Sequence, residues 1–223
     1  MRPFTLHTPK SLIEAGGRPF LDCQLGLFAQ NGVGRVVLST VYLGHKIEDY
    51  LASHSTHGVK VEVRHEKEPL GTGGAVINSL PALPESFFLA YGDAYLLQPF
   101  APVREAFGKS GKAAMMTVMR QDSGTSENNC DVRAGMVTRY QKGQPKGTFD
   151  YLDYGLIFFR KSALEKYQVE NFSTDRIFAG LIAKRQLAAF ETHLPYYEVG
   201  SPEGLRRFTS YINSEGQGRN GCR

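Results

Sequence analysis

The chain has 223 residues, of which 41% are hydrophobic, and 26 Lys and Arg against 22 Asp and Glu give it a formal charge of +4. That size describes one globular domain whose core needs no disulfide staples, and the scattering of basic among acidic residues excludes the dense Lys/Arg block of a nucleic-acid binder. No stretch reaches the ~18 apolar residues of a membrane span. The prolines and polar residues of the first ten positions leave no continuous hydrophobic region for a secretory signal. Cys23, Cys130 and Cys222 are widely spaced without a CxxC pair, which argues against a disulfide framework or structural zinc and makes a reducing cytoplasm the expected compartment.

Short β-branched runs alternating with amphipathic stretches predict an α/β class with a largely parallel sheet. A helix is expected from Pro19, with Leu21, Leu25 and Phe28 on one face and an end at Asn31-Gly32. Arg35 to Val41 reads as a buried strand. A helix follows around His45 to His54, and Val59 to Arg64 alternates with a period of 2 as a strand does. After a loop ending Gly71-Thr72-Gly73-Gly74, a short helix is expected over Ala75 to Leu80, then a strand from Phe87 to Tyr91 running into Gly92-Asp93. Further strands are expected at Ala113 to Met119, Met136 to Tyr140, Leu152 to Phe159 and Leu187 to His193. Helices are expected near Val103 to Phe107, Asp175 to Lys184 and Pro202 to Ile212. Residues 1–213 then form one domain, and 214–223, without apolar periodicity, read as a disordered tail.

Several positions carry chemistry-bearing residue types. Lys10 follows a Thr8-Pro9 turn, and a lone lysine there is either a solvated charge or a ligand for an anion. Three glycines among Gly71, Thr72, Gly73 and Gly74 sit just before a helix, so they are either a tight loop or a place where backbone N–H groups meet an anionic or polar ligand. Neither the P-loop nor the dinucleotide spacing is present. Asp93, between aromatic and apolar neighbours at the carboxyl end of a strand, invites a cation to offset the cost of its charge. A hard ion such as Mg²⁺ takes one or two carboxylates plus phosphate oxygens, which makes Glu198 the second candidate. Ser201 and Pro202 are explained by helix-start chemistry, but Glu198 is not. Asp153 interrupts a hydrophobic strand beside Gly155, as either an edge-strand bulge or a ligand-contacting segment. Lys142 is a further candidate phosphate cation. No Ser-His-Asp or Cys-His order suggests a covalent nucleophile.

Taken together, Arg2-Pro3-Phe4-Thr5, Thr8-Pro9-Lys10, Leu70-Gly71-Thr72-Gly73-Gly74-Ala75, Tyr91-Gly92-Asp93 and Glu198-Val199-Gly200-Ser201-Pro202-Glu203 resemble, in order, the sugar-1-phosphate nucleotidyltransferase family. The small bacterial members acting on mannose- or heptose-type 1-phosphates are the most similar. The resemblance implies a three-layer α/β/α, Rossmann-like fold with a central mixed, mainly parallel sheet. It also implies transfer of a nucleotidyl group from an NTP to a sugar 1-phosphate, with release of pyrophosphate, in nucleotide-sugar supply for surface polysaccharide. Lys10 and Asp93 would be catalytic, and Gly71, Thr72, Gly73 and Gly74 would bind the nucleotide. Lys142, Asp153 and Gly155 would bind the sugar phosphate, and Asp93 and Glu198 would hold Mg²⁺. The base, the sugar and the oligomeric state stay open, and a homo-oligomer is compatible with all of this.

The family pattern places a strand and a glycine-rich loop, about 15 residues, before the Arg2-Pro3 equivalent. Two readings follow: the chain starts at an internal methionine of a longer protein, or it is a variant with impaired catalysis that serves as a sugar-nucleotide-binding or regulatory subunit. A nucleotide-sugar glycosyltransferase is a third reading, disfavoured by Thr8-Pro9-Lys10 and by Glu198 beside Gly-Ser-Pro.

Overall fold

The computed structural model describes residues 8–41, 43–121 and 127–219, with side chains as far as 214. Arg2-Pro3-Phe4-Thr5 and Cys222 lie outside these residues. Where the composition predicts one domain, the chain divides into two compact units. The first holds the residues up to His65, Gly92–Tyr95 and those from Tyr196 on, and the second holds Glu66–Tyr91 and Leu96–Pro195.

In the first unit a 3₁₀ turn (Lys10–Leu12) precedes the short strands β1 (Glu14–Ala15) and β2 (Arg18–Pro19), and α1 (Phe20–Gln30) follows directly. The expected face is present, with Leu21, Leu25 and Phe28 all buried. The helix ends at Asn31, and Gly32 takes the left-handed φ of 71°. β3 (Arg35–Thr40), α2 (Gly44–Ser53) and β4 (Lys60–His65) come next, with β3 and β4 paired in parallel as a sheet of their own. β3 is not the buried strand its sequence suggests: only Thr40 is buried.

Further along the chain, β6 (Ala94–Leu96), which lies in this unit up to Tyr95, pairs with β12 (Tyr196–Glu198). The final helix α6 (Pro202–Arg219) follows. Its Phe208 meets Phe20 of α1 edge-on at 5.1 Å and Tyr95 at 4.9 Å, so aromatic burial holds α1, β6 and α6 together. Residues 214–219, expected as a disordered tail, continue α6. Apolar periodicity stops near Ile212, but i to i−4 hydrogen bonding does not depend on it.

The second unit is built on a six-stranded sheet in the order β5 (Ser86–Ala90), β10 (Tyr151–Arg160), β7 (Ala114–Arg120), β11 (Leu187–Thr192), β9 (Met136–Tyr140), β8 (Cys130–Arg133). The sheet is mixed, but the expectation of a mainly parallel one is corrected. Only β7 with β11 is parallel, while β10 runs against β5, β7 and β8, and β9 runs against β8 and β11. Among the described residues no helix lies between strands β7 and β10, and a parallel crossover needs a dozen or more residues, usually helical. β8 and β9 join through Ala134 and Gly135, both at positive φ (48° and 70°), as a two-residue hairpin turn requires.

α3 (Gly71–Ser79) and α5 (Thr174–Ala183) cover one face of the sheet through Val76, Ile77, Ile177, Phe178 and Leu181. On the other face Phe100 and Phe107 of α4 (Phe100–Ser110) meet Phe88 and Phe158 at 5.1 and 5.9 Å. β7 is buried along six of its seven residues because it is covered on both faces. Ser173 caps α5 by accepting the Asp175 N–H. Among the described residues no helix is long and apolar enough to cross a membrane.

Candidate active site

Three predicted residues come together in the first unit. Asp93 lies in the turn before β6, and its carbonyl accepts the Val199 N–H at 2.9 Å, which ties that turn to the end of β12 where Glu198 stands. Gly200 marks where the two carboxylates converge. A Cβ placed there would lie 2.7 Å from Glu198 Oε2 and 3.2 Å from Asp93 Oδ2, so the two oxygens are no further apart than those distances added. Lys10 Nζ lies 3.8 Å from Asp93 Oδ2, with the two side chains 49% and 42% exposed. Asp93 is therefore not the desolvated carboxylate that its apolar neighbours suggest. The turn after β5 returns to water, and the residues beside Asp93 in sequence are not those around it in space.

Glu198 is held from its own helix start. Oε2 accepts the Gly200 N–H (2.6 Å), Oε1 accepts the Ser201 hydroxyl (2.7 Å), and the Ser201 Oγ in turn accepts the Gly204 N–H (2.9 Å). A side chain at Gly204 would collide with the Glu198 carboxylate and carbonyl. Helix-start chemistry thus accounts for part of Glu198 as well as for Ser201 and Pro202. A carboxylate has about four lone-pair positions, so these two donors leave acceptor capacity. Among the described residues no group of three or more His, Cys, Asp or Glu is placed to hold a metal. A pair of carboxylates converging on one glycine fits a hard cation that completes its shell with water and phosphate oxygens.

The glycines Gly71 to Gly74 lie in the second unit and form the first turn of α3 rather than a loop before it. Gly73 and Gly74 donate their N–H groups to the Phe172 carbonyl at 2.9 and 3.3 Å, and Thr72 Oγ1 accepts the Thr174 N–H at 3.0 Å. A Cβ at Gly71 would lie 2.6 Å from the Phe172 carbonyl, one at Gly73 2.5 Å from the Phe172 ring, and one at Gly74 would strike the Glu170 carbonyl. Close packing against residues 170–172 therefore demands glycine here, independently of any ligand.

Asp153, Gly155 and Lys142 are gathered at a second place in the same unit. Asp153 is only 7% exposed. Its Oδ2 accepts the hydroxyls of Tyr91 (2.6 Å) and Tyr140 (3.1 Å), and its Oδ1 accepts the Gly155 N–H (2.9 Å). The Asp153 N–H donates to Asn129 Oδ1. Gly155 has φ of 89° and sits where the β10 register slips, three residues of β10 standing against Thr117 alone. Exposed Lys142 rests its ammonium 5.1 Å from the Tyr91 ring centre and 6.0 Å from that of Tyr140. Tyr91, Tyr140 and Asn129 were not among the expected site residues, because nothing next to them in sequence shows that they meet Asp153.

Burial raises the Asp153 carboxyl above the ordinary aspartate range, although the Tyr91 hydroxyl, the Gly155 N–H, the Lys142 charge and the Tyr140 hydroxyl all pull it down. Burial, and then the Asp153 charge, push both phenols upward. Burial does the same to the Cys130 thiol, which makes it a poor nucleophile. A raised carboxyl pKa means that the folded state holds the proton where the unfolded state has lost it. The Asp153 contribution to stability is thus fully present below the unfolded aspartate pKa and is lost as pH rises through the folded one. We expect the stability of wild type relative to Asp153→Asn to fall with rising pH across that window, by at most about 1.4 kcal/mol per pH unit. Urea unfolding of both proteins at a series of pH values measures it; a difference constant with pH would contradict the shift.

The nucleotidyl transferase family model matches residues 1–205 of the chain. The Xenopus tropicalis mannose-1-phosphate guanylyltransferase catalytic subunit beta is 25% identical over 222 residues, covering 96% of this chain and 62% of its own length. HddC from Yersinia pseudotuberculosis superposes with a TM-score of 0.81 at 24% identity, covering 92% of this chain and 90% of that one. A putative glucose-1-phosphate thymidylyltransferase from Bacillus anthracis superposes with a TM-score of 0.80 at 16% identity, covering 95% and 89%. These two likenesses establish a Rossmann-like fold with a mixed sheet. The chain spans 62% of the length of the Xenopus relative. With a family model matched across most of its residues, the chain belongs to the nucleotidyl transferase family.

Proposed function

We propose that the protein transfers a nucleotidyl group from an NTP to a sugar 1-phosphate in the presence of Mg²⁺, releasing pyrophosphate. The reading is carried by the convergence of Asp93 and Glu198 around Gly200, with the Lys10 ammonium beside Asp93. Displacement at a phosphate by a phosphate oxygen needs no protein nucleophile. It needs positioning and the neutralisation of charge that accumulates on the transferring group. Bound Mg²⁺ supplies Lewis-acid neutralisation of phosphate charge, and Asp93 and Glu198 would hold it. Lys10 adds a positive charge beside Asp93.

In the second unit, Gly71 and Thr72 at the start of α3 serve the nucleotide, and Lys142 pairs with the sugar phosphate. Gly155 offers a bare backbone to the sugar ring, since its positive φ and missing side chain let a ligand approach. With helices over both faces of the six-stranded sheet, the unit suits the three-layer arrangement of the family. Relatives bear the names of guanylyl, thymidylyl and CTP transferases, and the base and sugar used by this chain are left to experiment. Cys23 and Cys130, both buried and without a disulfide, suit a reducing cytoplasm.

The test is pyrophosphate release from each of four NTPs with a panel of hexose and heptose 1-phosphates and Mg²⁺. Release that requires both substrates and the metal is expected. Binding of nucleotide-sugar without release from any pair would replace the reading with that of a regulatory subunit.

A further inference from the structure

Beyond these contacts, and resting on that reading of the reaction, we propose that Asp153 is a positioning residue. Through Tyr91 and Tyr140 it fixes the Lys142 ammonium, and through the Gly155 N–H it fixes the bulged backbone, so that both meet the sugar 1-phosphate. Asp153 itself does not touch the substrate. An anionic side chain offered to a phosphate ester would repel it, and this one is enclosed, its two oxygens receiving two phenol hydroxyls and one backbone N–H.

Each link has a physical basis. Two hydroxyls donating to a single Oδ2 fix the planes of both tyrosine rings, and Lys142 lies against those rings at 5.1 and 6.0 Å. A phenol donating to a carboxylate gains electron density in its ring, which strengthens its attraction for an ammonium. A long, exposed lysine otherwise samples many rotamers, and ordering it beforehand lowers the entropic cost of phosphate capture. Gly155, at a φ that few other residues tolerate, is held there by the same carboxylate. The Asp153 N–H in turn donates to Asn129 Oδ1, which ties this arrangement to the start of β8. One buried group thus controls two substrate contacts on different segments, and a residue that merely stabilised the fold would affect both substrates alike.

Asp153→Asn, Tyr91→Phe and Tyr140→Phe separate these roles. We expect each to raise KM for sugar 1-phosphate about tenfold, with KM for NTP within about twofold of wild type, because NTP does not use Lys142. The Tyr140→Phe and Asp153→Asn effects should be less than additive, since they act through one group. An independent readout is the proton resonance of the Lys142 ε-methylene, which the facing tyrosine rings shift upfield. It should move toward the free-lysine position in Asp153→Asn whether or not the enzyme turns over. Equal rises in both KM values, or a Lys142 resonance unchanged in Asp153→Asn, would overturn the proposal. A wild type silent with every substrate pair, yet with Lys142 moving in the variant, would remove the proposed reaction and leave the positioning of Lys142 standing.

Discussion

Asp93→Asn is expected to reduce Mg²⁺-dependent pyrophosphate release by about 100-fold or more, with the thermal midpoint little changed. The two halves of this expectation come from different observations. Asp93 is 42% exposed, and its ion pair with Lys10 at 3.8 Å is a solvent-screened contact of small worth, so removing the charge costs the fold little. The proposed metal, in contrast, would rely on the two carboxylates that converge on Gly200, and an amide oxygen in place of one of them would halve the formal negative charge that draws a divalent cation. Raising Mg²⁺ should recover part of the rate if the loss is one of metal affinity. Initial rates across a Mg²⁺ series check this, and wild-type rates in the variant would remove Asp93 from the site.

Gly74→Ala should destabilise the protein by about 3 kcal/mol, although helix propensity alone favours alanine over glycine by about 1 kcal/mol. Gly74 is in the fourth position of α3, where an added Cβ would meet the Glu170 carbonyl and, at 2.9 Å, the Leu70 side chain. A carbonyl in a backbone segment cannot swing aside as a long side chain does. The segment around it is held from α3, since the Phe172 carbonyl takes the Gly73 and Gly74 N–H groups. The strain therefore passes into the packing of α3 against residues 170–172. Differential scanning calorimetry or urea unfolding measures the change, and a stabilised variant would show that the segment yields freely.

Elements with a strong local signature were readable from the residues alone. α1 announces itself by Leu21, Leu25 and Phe28 at helical spacing, with glycine after its end, and β9 by Met136 to Tyr140. Lys10, Asp93 and Glu198 also stood out in the sequence, as charged residues at turn and strand ends, and the structure brings the three together. What escaped depends on partners remote in sequence. Nothing local to Gly73 and Gly74 shows that their N–H groups face a carbonyl 98 or more residues away. Asp153 read as either a bulge or a ligand contact, and the register slip beside it is present, but nothing local to it shows that Tyr91 and Tyr140 close over it. The direction of β10 was overlooked for another reason. Alternation of strand and helix in the first third of the chain suggested parallel pairing throughout, yet the absence of helices between β7 and β10 was already visible. β8 was missed because its hairpin turn is Ala134-Gly135, a weaker signal than Asn-Gly.

The irregularity in β10 also constrains how this strand can change in evolution. Its partner register runs from Asp153 opposite Val118 to Ile157 opposite Met116, so the bulge holds two residues in excess rather than one. An even excess preserves the in-and-out alternation of side chains, and Ile157 and Phe159 reach the same apolar core as Met116 and Val118. Loss of one residue between positions 153 and 157 would leave two residues opposite Thr117, an ordinary single-residue bulge, whereas loss of two would remove the bulge and straighten the strand. The positive-φ position that Gly155 fills exists only while the excess does.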